Sequence, residues 1–264
     1  MVLNKRAALG GTQLDGLDTA IVIRSIDPGT PKETVGTAAM MGGSGSRITN
    51  KHWDMLEAAV AFAIDLPKKQ LAARKAVFDK VIAWAAGKGW LTINWMPGKR
   101  LWVDNVVLPS AGDIWNWTDE FTITFRAYAV PFWQDATATT VSIASGDSGS
   151  GSITVPGMLE TVCDAEITNA GSADIDILSV AIGGSSFSFT DLGLEGGETL
   201  KIIHNEDGLL SIRIYSGDYY SREAMGKRTG VSSDDLYVLP GSRTITITGG
   251  TVTASVKCFG RYIG

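Results

Sequence analysis

The sequence predicts a mainly-β protein of two domains. An N-terminal α+β domain, a β-sandwich with one helix, covers residues 1–134, and a second β-sandwich of jelly-roll type covers residues 135–264. Three observations carry this. Phe121, Ile123 and Phe125 alternate with Thr122, Thr124 and Arg126, the period-2 pattern of a half-buried strand, which Pro131 then ends. All eight tryptophans lie at or before Trp133, so two cores of different composition meet there. Beyond that point short apolar runs recur at roughly ten-residue spacing between glycine-bearing turns, as in a sandwich or jelly roll.

Taken in order, turn-like Leu14-Asp-Gly-Leu-Asp18 leads into the β-branched strand Ile21–Ile26, closed by Asp27-Pro28-Gly29. Residues 30–50 show little periodicity and carry Gly36, Gly42, Gly43 and Gly45, which reads as an arm or extended hairpin reaching away from the domain. Trp53 to Leu66 is rich in alanine, a helix former, yet Leu56, Ala58, Val60, Phe62, Ile64 and Leu66 alternate with their neighbours. Periodicity outweighs propensity there and predicts a strand. Pro67 to Ala86 predicts the single long helix, with Leu71, Phe78, Val81, Ile82 and Ala85 as its apolar stripe. Lys69, Arg74, Lys75 and Lys80 fall off that stripe, and Gly87 and Gly89 stop the helix. Strands follow at Trp90–Trp95 and Arg100–Leu108, around the turn Met96–Lys99. Trp115 and Trp117 precede the strand at Phe121.

In the second half, Thr139–Ala144 predicts a strand and Ser145–Ser152 a loop of linker composition. Strands are expected at Val162–Thr168, Ile175–Ile182, Ser186–Thr190, Leu200–His204, Leu209–Tyr215, Leu236–Leu239, Arg243–Thr248 and Val252–Phe259. Turns such as Asn205–Gly208 and Gly249-Gly250 separate them.

The charge is −5 overall but unevenly divided. Residues 1–134 hold 15 Lys and Arg against 12 Asp and Glu, net +3, and residues 135–264 hold 8 against 16, net −8. Phosphate binding rests on Lys and Arg, so the second half is no nucleic-acid surface, and the scattered excess in the first half makes no DNA-binding face. No apolar run approaches the ~20 residues that span a bilayer. The basic pair Lys5-Arg6 stands beside too short an apolar run for a signal peptide, so the chain is expected to be made and kept in the cytoplasm of its producer. In that setting Cys163 and Cys258, the two cysteines, are expected as buried free thiols rather than a disulfide.

No catalytic constellation emerges, and no cofactor or metal is expected. His52 and His204 have no spacing that makes a metal site or triad, and His204 reads as a structural histidine at a strand end. Gly42-Gly-Ser-Gly-Ser46 lacks the Lys-Ser/Thr of a phosphate-cradling loop. Asp174 and Asp176 share a strand face but have no third oxygen ligand near in sequence, so they read as solvated. Asn116-Trp-Thr118 matches a glycosylation sequon, which has no meaning without secretion. The candidate binding residues are Tyr219, Tyr220 and Arg222, placed in a loop between strands. Exposed aromatics beside hydrogen-bonding groups dock proteins or stack on sugars, and the plainer alternative is that they cover the sandwich edge.

The order of several pieces carries a family resemblance. These are Leu14–Asp18, Glu33-Thr34 before a glycine-bearing arm, a helix ending Ile82-Ala-Trp-Ala85, and Ala127-Tyr-Ala-Val-Pro-Phe-Trp133 closing the first domain. Leu236-Tyr-Val-Leu-Pro-Gly-Ser-Arg-Thr-Ile-Thr-Ile247 and a last strand ending Phe259-Gly-Arg-Tyr262 complete the set. Together they resemble the distal tail protein of long-tailed, non-contractile (siphovirus-type) bacteriophages, over nearly the whole chain. The resemblance implies a homo-hexameric ring at the distal end of the tail tube, in the virion, assembled in the bacterial cytoplasm. The first domain would build the ring and contact the tube protein. The second, galectin-like, would hold tail-tip or receptor-binding proteins, and DNA would pass through without specific binding. Residues 135–264 contain no tryptophan to match the sugar-stacking one of galectins, which favours a structural role for that domain. A cell-wall carbohydrate-binding module and a hub protein of a contractile tail are the alternatives.

Overall fold

The computed structural model describes residues 5–39, 46–110, 120–230 and 232–264. The chain is mainly β and divides into two compact units, residues 1–133 with 263–264, and residues 134–262. Gly42, Gly43 and Gly45 of the arm, and Trp115, Asn116 and Trp117, lie outside the described residues.

In the first unit, β1 (Ala7–Leu9), β2 (Thr12–Gln13), β3 (Ile21–Asp27), β4 (Glu33–Ala39), β5 (Ser46–Trp53) and β6 (Leu56–Ile64) precede the helix α1 (Leu71–Ala85). β7 (Gly89–Ile93), β8 (Lys99–Val103), β9 (Asn105–Val107) and β10 (Phe121–Ala127) follow it. Strands β3-β6-β10-β9 form one antiparallel sheet, and β2-β1-β7-β8 run side by side in another. The alternation of β10 sets its register: Phe121 faces Phe62 across the ladder and Phe125 faces Ala58. The same register brings Arg126 opposite Glu57, where Nε donates to Oε1 at 2.7 Å.

The alanine-rich stretch is indeed a strand, because both β3 and β10 pair with it and its alternate side chains are buried. Helix α1 seats Phe78 against Phe121, with ring centroids 5.3 Å apart. Phe78, Val81 and Ala85 of the expected stripe are buried, whereas Leu71 and Ile82 are only half-buried. The helix begins at Leu71, after a turn in which Gln70 N–H donates to Pro67 O.

Arg74 departs from the expected exposed face. It is 2% exposed, and its Nη1 donates to Ile64 O at 3.0 Å and Leu66 O at 2.9 Å. Ile64 O also accepts from Leu66 N–H at 2.9 Å, and the guanidinium adds a charge-assisted bond to each of the two carbonyls where β6 ends. The expected strand 100–108 is broken at Asp104, whose Oδ2 accepts from Tyr128 N (2.7 Å) and Ala129 N (3.0 Å), so that its two halves join different sheets. Strand β7 stops at Ile93, and Asn94 and Trp95 belong to the following turn. In the stretch expected to be an arm or extended hairpin, β4 pairs antiparallel with β5, and with no other of the described strands.

After the short β11 (Trp133–Asp135), the second unit runs through β12 (Thr139–Val155), β13 (Thr161–Asn169), β14 (Leu178–Ile182), β15 (Ser185–Phe189), β16 (Glu198–His204) and β17 (Leu210–Ser216). Then come β18 (Tyr219–Glu223), β19 (Tyr237–Val238), β20 (Gly241–Cys258) and β21 (Arg261–Tyr262). Nine of these make one antiparallel sheet in the order β15-β14-β20-β13-β16-β17-β18, with β12 on β20 and β19 on β13.

The expected turn at Gly249-Gly250 is instead a corner inside one long strand. β20 pairs with β14 through Ile245–Thr248 and with β13 through Val252–Cys258. Gly249 has φ +126°, and a Cβ there would stand 2.0 Å from Ile177 O, so only glycine fits this bend. The corner folds the sheet onto itself, and Ile245, Ile247, Val252 and Val256 share one core with Phe187, Phe189 and Ile202.

Ser145–Ser152 is not a linker loop either. β12 continues through it on β20, with irregularities at Ile143/Gly146 and Gly146/Ser148. Gly149 and Gly151 lie against the Ile143 side chain, where a Cβ would come within 2.7 and 3.2 Å, so glycine here answers a crowded bend rather than flexibility. Ile175–Ile182 is ordered as a strand from Leu178 onward, Ile175 making an isolated bridge to Leu194.

Candidate functional site

Tyr219 and Tyr220 do not lie in a loop. The Gly217-Asp218 turn, with Gly217 at φ +58°, folds the chain back so that both sit on β18, antiparallel to β17 and at the edge of the nine-stranded sheet. The strand went unrecognised because Tyr219-Tyr220-Ser221-Arg222-Glu223 has no apolar alternation; only Arg222 is partly covered. Tyr219 is 82% and Tyr220 54% exposed. Tyr215 meets Tyr220 edge-on with centroids 6.1 Å apart, and the Arg213 guanidinium stands 5.8 Å from the Tyr220 ring while its Nε binds Glu223 at 2.7 Å.

Arg222 belongs to the scaffold instead. Its Nη1 and Nη2 donate to Glu198 Oε1 and Oε2 at 2.8 and 2.7 Å, and Nη2 also donates to Gly193 O. Burial raises the Glu198 carboxyl, but the Arg222 guanidinium and the Glu195 N–H outweigh it and hold the carboxyl below its ordinary value. This fork ties the edge strand to the start of β16 and leaves the two tyrosines as the exposed part of the predicted trio. What the arrangement offers chemically is a pair of exposed rings held in place by backbone pairing.

His204, at the end of β16 as expected, is a structural residue of a kind the sequence did not reveal. Its side chain is 6% exposed between Asp164 and Asp235. Cys163 and Cys258 are free and buried, opposite each other across the β13–β20 ladder. Contact with Cys258 and burial push the Cys163 thiol up. Asp174 and Asp176 are exposed. Among the described residues no group of three or more His, Cys, Asp or Glu side chains is placed to hold a metal ion. No helix among them is long and apolar enough to cross a membrane.

The first unit carries a different surface. Six of the eight tryptophans are described, and of these Trp133 alone is fully buried, its Nε1 donating to Pro28 O at 3.0 Å. Trp53, Trp84, Trp90 and Trp102 are partly exposed and Trp95 is 54% exposed. Trp90 and Trp102 stack edge-on at 5.1 Å, and the Arg100 guanidinium lies 3.8 Å from the Trp90 ring. They alternate with buried Leu91, Leu101 and Val103, so they occupy the opposite face of that sheet.

The class this defines is a mainly-β chain of two compact units with exposed aromatic side chains on each. No family model matches the sequence, and no curated protein matches it. A particular solved structure shares the fold: the Dit (gp 19.1) protein of phage SPP1, described as a paradigm of hub adsorption apparatus in Gram-positive infecting phages. The likeness covers 97% of this chain and 98% of that one at a TM-score of 0.68 and 10% identity. The baseplate of phage P2 in its activated conformation with Ca is also similar, at 10% identity over 98% of both chains. Its form with Sr is similar at 9% identity over 97% of both. At TM-scores of 0.46 these two stand below the level at which a shared fold follows.

Proposed function

We propose that this chain is a structural protein of a phage tail tip, six copies of which form a ring at the distal end of the tail tube. The ring is a hub for tail-tip or receptor-binding proteins and performs no catalysis. The observation that carries this reading is the fold likeness to SPP1 Dit over 97% of this chain, an extent that takes in both of its units.

Two features of the first unit support its assignment to the ring and to the contact with the tube protein. Five partly exposed tryptophans are more aromatic surface than a small monomeric unit needs, and aromatics are enriched at protein interfaces. The β4–β5 hairpin is a two-stranded sheet by itself, marginal in water unless something covers it, and a neighbouring subunit of the ring would do so. DNA passes through the ring without specific binding, and no membrane is involved.

The second unit docks another tail-tip protein through the edge that bears Tyr219 and Tyr220. Its net charge of −8 opposes anionic wall polymers such as teichoic acids, since like charges repel on approach. Negative-stain electron microscopy of the purified protein tests the central assignment. Sixfold ring averages are expected, and a field of single small particles at every concentration would refute it.

A further inference from the structure

Cys163 on β13 and Cys258 at the end of β20 stand directly opposite each other in an antiparallel ladder, and both thiols are free. Opposite residues send their side chains to the same face, and both cysteines lie in the core of the second unit with their thiols in contact. The kind of pair decides what the two can do. Directly opposite residues of an antiparallel ladder either exchange two backbone hydrogen bonds or none. Cys163 N–H donates to Leu236 O at 3.1 Å, in the run that leads into β19 and flanks β13 on the side away from β20. Cys163 and Cys258 are therefore a non-hydrogen-bonded pair. In such pairs the Cα atoms stand about 4.5 Å apart and the side chains come closest, within the roughly 4.4–6.8 Å that a disulfide spans.

We propose that Cys163 and Cys258 form a site of reversible oxidation, which closes into a cross-strand disulfide when the protein meets a small-molecule disulfide. One cysteine thiolate attacks a sulfur of the oxidant, forms a mixed disulfide and expels one thiolate, which takes up the proton that the cysteine lost. The second cysteine thiolate attacks the protein-side sulfur of that mixed disulfide, closes the Cys163–Cys258 bond and expels the other half of the oxidant as a thiol. Two protein thiols are oxidised and one small disulfide is reduced to two thiols, so the step balances without another reagent. The pair is buried, yet it sits where the sheet opens most easily. β20 ends at Cys258, β13 begins at Thr161, and β19 is only two residues long. Strand ends of this kind open locally at a fraction of the free energy of global unfolding.

The bond ties the start of β13 to the end of β20 and closes a loop of about 95 residues, most of the second unit. In the chain-entropy account such a cross-link acts by restricting the unfolded chain, so it stabilises the unit without remodelling its surface. The thiols stay reduced in a reducing compartment and pair outside it. That use rests on the place in a virion proposed above, whereas the bond chemistry does not.

The test incubates the intact protein, freed of reductant, with cystamine under native conditions. The expected product is lighter by two hydrogen atoms, yields a Cys163–Cys258 cross-linked peptide on digestion and has no titratable thiol after denaturation. Its thermal midpoint is expected about 5 °C or more above that of the reduced protein, and dithiothreitol returns it to the reduced value. Cys258→Ala, treated alike, gains no such rise, and the untreated parent is the control that needs no substitution. The proposal is overturned if both thiols of the parent persist after several days with cystamine, or if the product is a stable mixed disulfide or a cross-linked dimer. A closed form that melts no higher than the reduced one overturns it as well. A ring-forming protein whose thiols never pair would remove this site and leave the hub standing, and a monomeric protein whose thiols do pair would do the reverse.

Discussion

Asp164 Oδ1 accepts two hydrogen bonds from His204, one from its backbone N–H at 2.9 Å and one from ring Nδ1 at 2.8 Å. On the other side of the ring Nε2 meets Asp235 Oδ1 and Oδ2 at 2.9 and 3.0 Å. With a carboxylate at each nitrogen both nitrogens carry protons, so His204 is a buried cation bridging β13, β16 and the segment before β19.

Burial alone would lower the His204 pKa, but the two carboxylates outweigh it and raise it from 6.5 to about 9. Since the folded value lies above the unfolded one, the stabilisation is fully present below pH 6.5 and is lost as pH rises through about 9. The difference corresponds to roughly 3 kcal/mol. Urea unfolding of the parent protein is expected to show a midpoint that falls between pH 6.5 and 9. His204→Asn should be less stable at neutral pH and should lack most of that slope.

Arg74→Ala removes a buried guanidinium that donates to Ile64 O and Leu66 O and is expected to destabilise the first unit by roughly 1–3 kcal/mol. Lys75→Ala, one residue on and exposed, should change stability by less than about 0.5 kcal/mol. Phe78→Ala, at 2% exposure against Phe121, should cost about 3–5 kcal/mol. Denaturant titration of the three variants checks the ranking. Equal stability of Arg74→Ala and Lys75→Ala would show that the buried guanidinium contributes nothing net.

Gly249→Ala places a methyl 2.0 Å from Ile177 O at φ +126°, and it is expected to leave the second unit unfolded or insoluble. Gly184→Ala meets nothing within 4 Å and should be close to neutral. A soluble Gly249→Ala protein with a parental melting curve would contradict the reading of that corner.

Local patterns were legible in the sequence. The alternation through Leu56–Ile64 overrode its alanine content, and Phe78, Val81 and Ala85 announced the buried side of the helix. What stayed hidden depends on partners far along the chain. Arg74 looks like one more surface cation until the end of β6 supplies two carbonyls. Ser145–Ser152 looks like a linker until β20 runs beside it. At the candidate site, the exposure of Tyr219 and Tyr220 was readable from their polar neighbours. The commitment of Arg222 to Glu198 was not, because strand pairing brings together residues 24 apart in sequence.

If the Tyr219–Tyr220 edge docks a partner, then Tyr219→Ala and Tyr220→Ala should each leave stability within about 0.5 kcal/mol of the parent, since both rings are exposed. Partner capture should fall together with the two rings, and shortening the 224–235 segment should release the partner without changing the oligomer. A glycan array showing tight, specific binding that is abolished by either tyrosine variant would make the unit a lectin instead.

Mass photometry of the purified protein tests the ring most directly. The expected distribution has a species at six times the 28.0 kDa chain mass, retained as a hexamer of the fragment when residues 1–134 are produced alone at high concentration. A single peak at the mass of one chain, for the intact protein and the fragment alike, would contradict the account.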